Sequence, residues 1–134
     1  MSLRGIHCPI VTPFVENRFA KDKLSANIKE LATAGLAGFL VLGSSGESVL
    51  LTEDERIQVL QCARESIPEG MAFIAGCSGE SPDQVVMAAH LAAGNGADYA
   101  LVITPSYFRQ QTRSDGLLAH FRFIADHAPL PVVI

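Results

Sequence analysis

The sequence contains no tryptophan, no block of basic residues and no apolar run long enough to cross a membrane. A membrane helix needs about 20 consecutive apolar residues, and no run here approaches that length. Charged residues make up only 18% of the 134 residues and the formal net charge is -4. Nucleic acid and anionic membranes are therefore poor partners. The N-terminus lacks the pattern of a secretory signal peptide, so we expect a cytoplasmic protein, with the mitochondrial matrix left open.

Metal and disulfide signatures are also missing. The three cysteines (Cys8, Cys62 and Cys77) are odd in number and lack the spacing of metal ligands, which is typical of reduced core thiols. His120 and His127 are seven residues apart on one predicted helix, but no third ligand accompanies them. We therefore expect neither a metal site nor a cofactor.

Strands and helices alternate along the chain. Apolar runs rich in β-branched residues recur about every 30 residues, the length of one βα unit, and they are continuously apolar, as in parallel strands covered on both faces. The predicted strands are Gly5–Val11, Gly38–Leu42, Ala72–Gly76, Tyr99–Thr104 and Pro131–Ile134. Start and stop signals mark the helices between them: Gly35 as a C-cap, a capping box at Thr52, and Ser-Pro-Asp-Gln at Ser81. The predicted helices are Asp22–Ala34, one that follows Thr52, one that runs from Ser81 to Ala93, and one from near Ser114 to about His127.

Two α/β folds accommodate this alternation, a doubly wound sheet and a (βα)8 barrel. A barrel usually needs about 250 residues, and this chain has 134 and stops inside an apolar strand. That strand has no following helix to cover it. We therefore expect that something follows, or that a partner completes the sheet.

Polar residues follow the strands at their C-terminal ends, where both folds place their chemistry. The clearest case is GSSGE at Gly43–Glu47, where two glycines flank Ser44 and Ser45. Such a corner lets backbone N–H groups converge on an anion, with two hydroxyls as further donors. A tight turn with no ligand produces the same pattern. Tyr107, in TPSY, also has two interpretations: a tyrosine after a strand usually packs its ring and solvates its hydroxyl, and the alternative is a functional role.

Three stretches together resemble the dihydrodipicolinate synthase / N-acetylneuraminate lyase family: GIHCPIVTPF, GFLVLGSSGESVLLTEDER and ALVITPSYF. Members of that family are class I aldolases and lyases, which form a Schiff base, and they are (βα)8 TIM barrels. The resemblance runs over Gly5–Ile134 in the family's order and spacing. It implies that residues 1–134 are a single-domain fragment, the N-terminal part of a barrel from its first strand to the start of its fifth.

The resemblance also implies roles for three residues. Ser44 and the backbone N–H of Ser45 would hold the carboxylate of pyruvate or another 2-oxo acid, and Ser44 would belong to a proton relay. Tyr107 would reach into the site of a neighbouring subunit and join that relay, which implies a homo-oligomer, a dimer or tetramer. The first tyrosine of the family's T-P-Y-Y motif is Ser106 here.

The family's nucleophile is a lysine at the end of the sixth barrel strand, and its central relay tyrosine ends the fifth. Both positions lie beyond Ile134. The lysines present, Lys21, Lys23 and Lys29, fall at the start of the first predicted helix or along it, so none is expected to be the nucleophile. We therefore expect residues 1–134 alone to be inactive and a longer protein to supply the lysine.

The substrate branch and the rival functions remain open. The stretch GLAGFLVLGSSGESVLLTEDER has GSSGE where dihydrodipicolinate synthases usually have GTTGE, and it resembles more closely the 4-hydroxy-2-oxoglutarate and 2-keto-3-deoxy-sugar-acid aldolase branches. Serine in place of threonine keeps the hydroxyl and does not by itself decide the substrate. One rival is an inactive half-barrel interaction or regulatory protein that pairs through its open strand edges. The other is a doubly wound domain that cradles phosphate at Ser44–Glu47, but that turn has no basic residue near it.

Overall fold

The computed structural model describes residues 3–107 and 113–134. Five parallel strands form one sheet: β1 (His7–Pro9), β2 (Gly38–Val41), β3 (Ala72–Gly76), β4 (Tyr99–Leu101) and β5 (Val132–Val133). The spatial order of these strands is their order along the chain. A doubly wound sheet reverses its order at a switch point, whereas consecutive units of a barrel do not. The topology is therefore that of part of a (βα)8 barrel.

Four helices connect the strands: α1 (Lys21–Leu31), α2 (Glu53–Ser66), α3 (Pro82–Gly94) and α4 (Ser114–His127). The predicted capping boxes are confirmed, with Thr52 before α2 and Ser81 before α3. The first predicted helix is an α-helix followed by one 3₁₀ turn, Ala32–Ala34, which ends at Gly35 with φ 74°. Helix α3 extends one residue beyond the predicted end, because Asn95 is its C-cap.

The core lies between the helices and one face of the sheet. Phe39 of β2 and Phe73 of β3 are register partners, and both side chains are fully buried. They belong to one apolar cluster with helix residues such as Leu24 of α1 and Val85 of α3. The alternating position Leu40 is only partly buried, because it faces the side that the helices leave uncovered. In a barrel that side is the interior.

The structure differs from the sequence prediction in two respects. Every predicted strand except Ala72–Gly76 is shorter than expected, and the last is only Val132–Val133, although the N–H of Val102 still donates to the carbonyl of Val133 at 2.8 Å. A hairpin not foreseen from the sequence, Phe14–Val15 paired with Arg18–Phe19, follows β1. Its turn residues, Glu16 and Asn17, have φ of 49° and 59°. Positive φ at both positions is the geometry of a type I′ turn, here formed without the glycine that usually marks it.

The remaining predictions concern thiols and membranes. All three cysteines are free; Cys62 and Cys77 are buried and Cys8 is partly buried. Within residues 3–107 and 113–134, no helix is both long enough and apolar enough to span a bilayer.

Candidate functional site

The chain leaves β2 through an unusual backbone conformation. Leu42 has φ 59°, a left-handed value that a bulky residue rarely adopts, and its side chain is only 4% exposed. Its carbonyl group lies against the last residue of β3, Gly76, where a Cβ atom would overlap it. Glycine at this position therefore permits the close approach of the two strand ends. Strain of this kind often accompanies functional sites.

A single 3₁₀ turn, Ser44–Gly46, follows. The N–H groups of Gly46 and Glu47 close this turn by donating to the carbonyls of Gly43 (3.0 Å) and Ser44 (3.1 Å). The groups left at its N-terminal end are the N–H groups of Ser44 and Ser45, and both residues are exposed. Two exposed serines thus stand at the start of this turn, and the turn's own hydrogen bonds do not use their N–H groups. Hydroxyl and N–H groups of this kind are the donors of an anion site.

Thr12, which follows β1, fixes this turn to the first strand. Its hydroxyl donates to the carbonyl of Gly46 at 2.8 Å. A Cβ at Gly46 would lie only 3.2 Å from the carbonyl oxygen of Ile10, so glycine allows the turn to sit close to β1. This contact joins residues 34 positions apart, so no local sequence signal marks it.

The turn borders a cavity of about 250 Å³ at the C-terminal ends of the strands. Ser44 and Glu47 line it from the β2 side, Ser78 from the β3 side, and Leu101 and Ile103 from β4 and the residues after it. This is the end of the sheet at which barrel enzymes build their sites. A small molecule with one anionic and one apolar part fits such a lining.

Glu80, after β3, binds the segment that follows β4. Its carboxylate accepts the hydroxyl of Ser106 at 2.6 Å, the N–H of Ser106 at 3.0 Å and the N–H of Tyr107 at 2.9 Å. These hydrogen bonds, that of the Ser106 hydroxyl first, hold the pKa of Glu80 below its ordinary value. Glu80 has no motif that marks it in the sequence; its only signal is an acidic residue just after a strand.

The structure places Ser44 and Tyr107 at separate positions. Ser44 lines the small cavity beside β2, whereas Tyr107 lines an open cleft between α3 and α4. The Tyr107 side chain is 78% exposed. Glu80 and His120 also border that cleft. The candidate residues therefore form two sites within this chain, Ser44 with Ser45 at one and Tyr107 at the other.

The lysines lie on the helical layer. Lys21, Lys23 and Lys29 are all exposed on α1, and none lines the cavity beside Ser44. The Nζ of Lys21 is 2.9 Å from a carboxylate oxygen of Glu65. This contact raises the pKa of Lys21, whereas a nucleophilic lysine needs a lowered pKa.

Two histidines of α4 make ring contacts with neighbouring phenylalanines. His120 is buried on α4, with its ring edge-on to Phe121 at 5.4 Å, and burial lowers its pKa. His127 is exposed and stacks on Phe123 at 4.1 Å. In the part of the chain that the structure describes, no three His, Cys, Asp or Glu residues lie close enough to hold a metal ion.

Comparison with known proteins identifies the family of this chain. The chain is 37% identical over 136 residues to an L-threo-3-deoxy-hexylosonate aldolase of Hypocrea jecorina, covering 97% of this chain and 43% of that protein. It is 39% identical over 127 residues to a 4-hydroxy-tetrahydrodipicolinate synthase of Synechococcus, covering 93% and 41%. The chain thus spans less than half the length of the curated relatives it matches.

A solved structure gives the same result for the fold. A prophage protein of E. coli K12, of the dihydrodipicolinic acid synthase family and solved in complex with pyruvate, superposes with a TM-score of 0.88 at 29% identity. The match covers 98% of this chain and 44% of that one. A family profile described as the dihydrodipicolinate synthetase family matches residues 2–134. The chain therefore belongs to the dihydrodipicolinate synthetase family, and its fold is part of that family's TIM barrel.

Proposed function

We propose that this chain is the carboxylate-binding part of a Schiff-base aldolase or lyase that acts on pyruvate or another small 2-oxo acid. The observation that carries the proposal is the Ser44–Gly46 turn. Ser44, its first residue, lines a cavity at the C-terminal ends of the strands, and Ser45 follows it in the same exposed turn. A carboxylate there would accept hydrogen bonds from the Ser44 hydroxyl and the Ser45 N–H. The pyruvate complex of a related barrel supports this class of ligand.

The nucleophile in this proposal is a lysine beyond Ile134. Its amine attacks the 2-oxo carbon and water leaves, which forms an imine that accepts the electron pair of a breaking C–C bond. The same steps in reverse join the resulting enamine to an aldehyde. A carboxylate held by Ser44 and Ser45 fixes the orientation of the imine during these steps. Because the described lysines are exposed on α1, residues 1–134 alone are expected to form no imine.

The proton relay is proposed to run through the Ser44 hydroxyl and the Tyr107 hydroxyl of a neighbouring subunit. Two observations support an intersubunit role for Tyr107. Its side chain is 78% exposed, and it lies in a cleft separate from the Ser44 cavity of its own chain. A homo-oligomer, dimer or tetramer, would bring the two groups together. Proton transfer along such a hydrogen-bonded pair is ordinary general acid–base chemistry.

For the substrate branch we propose a 4-hydroxy-2-oxoglutarate or 2-keto-3-deoxy-sugar-acid aldolase. The relative from Hypocrea jecorina is named as a deoxy-hexylosonate aldolase, and one from Emericella nidulans, 36% identical over 138 residues, as a probable mitochondrial 4-hydroxy-2-oxoglutarate aldolase. The second name also keeps the mitochondrial matrix open beside the cytoplasm. The stretch GLAGFLVLGSSGESVLLTEDER resembles the same branch.

A second candidate is an inactive half-barrel that acts by interaction or regulation. It is favoured by one observation: the lysines that the structure describes are remote from the cavity. In that case the family relationship reflects ancestry alone.

Borohydride trapping separates these two functions. The natural protein that carries this chain is incubated with pyruvate and reduced with borohydride, and its intact mass is then measured by mass spectrometry. A species heavier than residues 1–134 that gains one reduced pyruvate would support the aldolase, and Ser44→Ala should reduce the trapped fraction. A species of 134 residues without an adduct would support the half-barrel and contradict the aldolase.

A further inference from the structure

The strongest unassigned feature is the contact between Glu80 and the two residues that follow Pro105. One carboxylate accepts three donors there: the Ser106 hydroxyl at 2.6 Å, the Ser106 N–H at 3.0 Å and the Tyr107 N–H at 2.9 Å. Glu80 itself is exposed. Water can donate hydrogen bonds to an exposed carboxylate, so a surface glutamate does not require donors from the protein. Bonding two successive N–H groups and a hydroxyl therefore serves to define the backbone at Tyr107.

Glu80 is in turn held by the start of α3. Its N–H donates to Oε1 of Gln84 at 2.9 Å, and the same oxygen accepts the N–H of Ser81 at 3.2 Å as part of the capping box. Gly79 allows this approach, since a Cβ there would lie 2.6 Å from Cβ of Gln84. The carboxylate of Glu80 thus projects from a segment fixed by a 13-residue helix.

The Tyr107 side chain is 78% exposed. The hydrogen bonds from Ser106 and Tyr107 to Glu80 hold the backbone from which this side chain projects. A proton relay tolerates little displacement, since a misplacement of about 1 Å in a catalytic arrangement costs roughly a hundredfold in rate. An exposed relay residue needs such an anchor more than a buried one.

We propose that Glu80 is a positioning residue that holds Tyr107 in the orientation from which it serves the site of a neighbouring subunit. This inference rests on the proposed function, because it takes Tyr107 to be a relay group. Glu80 does not touch the reacting atoms in this assignment. It acts through the backbone of Ser106 and Tyr107, from the side of the β3–α3 connection.

The test compares Glu80→Gln with wild type in the full-length protein. Glutamine keeps the shape of the side chain and one acceptor oxygen. Its NH₂ group replaces the other oxygen and cannot accept a hydrogen bond from the N–H groups of Ser106 and Tyr107. Asp83→Asn is the matched control. Asp83 is also exposed, lies three positions after Glu80, and loses the same negative charge in this variant. Amide exchange at Ser106 and Tyr107 should be faster by about tenfold or more in Glu80→Gln, as when a hydrogen bond to a charged group is lost. The control should leave it unchanged.

Kinetics provide the second measurement. Glu80→Gln should lower kcat by about tenfold to a hundredfold, with KM for pyruvate unchanged, since Ser44 lines a cavity other than the cleft that holds Tyr107. Glu80→Asp should recover part of kcat. Ser106→Ala, which removes only the 2.6 Å bond, should have a smaller effect of the same kind and serves if Glu80→Gln fails to fold.

The outcomes distinguish the two proposals. Unchanged exchange at Tyr107 in both Glu80→Gln and Ser106→Ala would overturn the positioning role, whatever the enzyme does. Faster exchange with an unchanged kcat would also overturn it, because the anchor would then have no catalytic consequence. Absence of a borohydride-trapped pyruvate adduct in wild type would instead contradict the proposed function, and the exchange data would still report on the anchor.

Discussion

Gly76 at the end of β3 packs directly against the carbonyl group of Leu42 at the end of β2. Any side chain at position 76 would push apart the two strand ends that carry the candidate site. Gly76→Ala should therefore destabilise the fold by about 1–3 kcal/mol, the usual cost of overpacking a close contact. The measurement is the midpoint of urea unfolding.

Gly94→Ala provides the control for this glycine. Gly94 is the last residue of α3, and a Cβ there would meet no atom within 4 Å. Alanine has the higher helix propensity, so this variant should be neutral or more stable by up to about 1 kcal/mol. Equal stability of the two variants would contradict the close approach of Leu42 to Gly76.

The pKa of Glu80 should lie below 4.5, the ordinary value for a glutamate, because the charged carboxylate accepts hydrogen bonds from Ser106 and Tyr107. Since the folded pKa is the lower one, the contribution of these bonds to stability is fully present above the unfolded-state pKa. It is lost as the pH falls through the folded pKa. The measurement is a carboxyl ¹³C NMR titration, with protection of the Tyr107 amide followed in parallel.

The titratable and charged side chains near Glu80 come from two helices. Glu53 and Arg56 of α2 line one cavity together with Glu80, and His120 of α4 lines the cleft that Glu80 shares with Tyr107. Ser106→Ala removes the largest cause of the shift and should raise the pKa of Glu80. A Glu80 midpoint at or above the ordinary value in wild type would mean that these bonds do not persist in solution.

Cys77 should resist alkylation in the folded protein. Its side chain is fully buried, and burial raises the pKa of the thiol to about 12. The reactive species is the thiolate, which is then scarce at pH 8. Iodoacetamide should modify Cys8, which is partly buried, before Cys77, and urea should make both reactive. Equal rates without urea would contradict the buried position of Cys77.

Local signals in the sequence were enough to predict much of this fold. The capping residues Thr52 and Ser81 and the left-handed Gly35 are where the sequence placed them, because each depends on neighbours within a few positions. The position of Ser44 at a strand end follows from the same kind of reasoning. Strand order was not predictable from the residues alone, since a doubly wound sheet and a barrel share the same alternation.

Contacts between distant residues account for what sequence reasoning missed. Glu80 and Ser106 are 26 positions apart, and Thr12 and Gly46 are 34 apart. Neither pair has a local pattern, and each forms only once parallel strands bring their ends together. The hairpin at Glu16 was not predicted for another reason: its turn has positive φ angles but lacks the glycine that usually marks such a turn in the sequence.

The two serines of the turn should respond differently to substitution if they hold a carboxylate as proposed. Ser44 would donate through its hydroxyl, so Ser44→Ala should lower kcat/KM for pyruvate by about ten- to a hundredfold, the value of a hydrogen bond to a charged group. Ser44→Thr keeps the hydroxyl and should retain most activity. Ser45 would donate through its backbone N–H, so Ser45→Ala should change kcat/KM little.

Ser45→Pro completes this comparison, because proline removes the N–H while the neighbouring hydroxyl of Ser44 remains. It should weaken pyruvate binding as Ser44→Ala does, and unfolding midpoints of all four variants check that the turn itself survives. The measurements are steady-state kinetics and borohydride trapping on the full-length protein. Loss of activity in Ser45→Ala equal to that in Ser44→Ala would mean that the Ser45 side chain, not its N–H, contacts the substrate. The carboxylate geometry proposed for the turn would then be wrong.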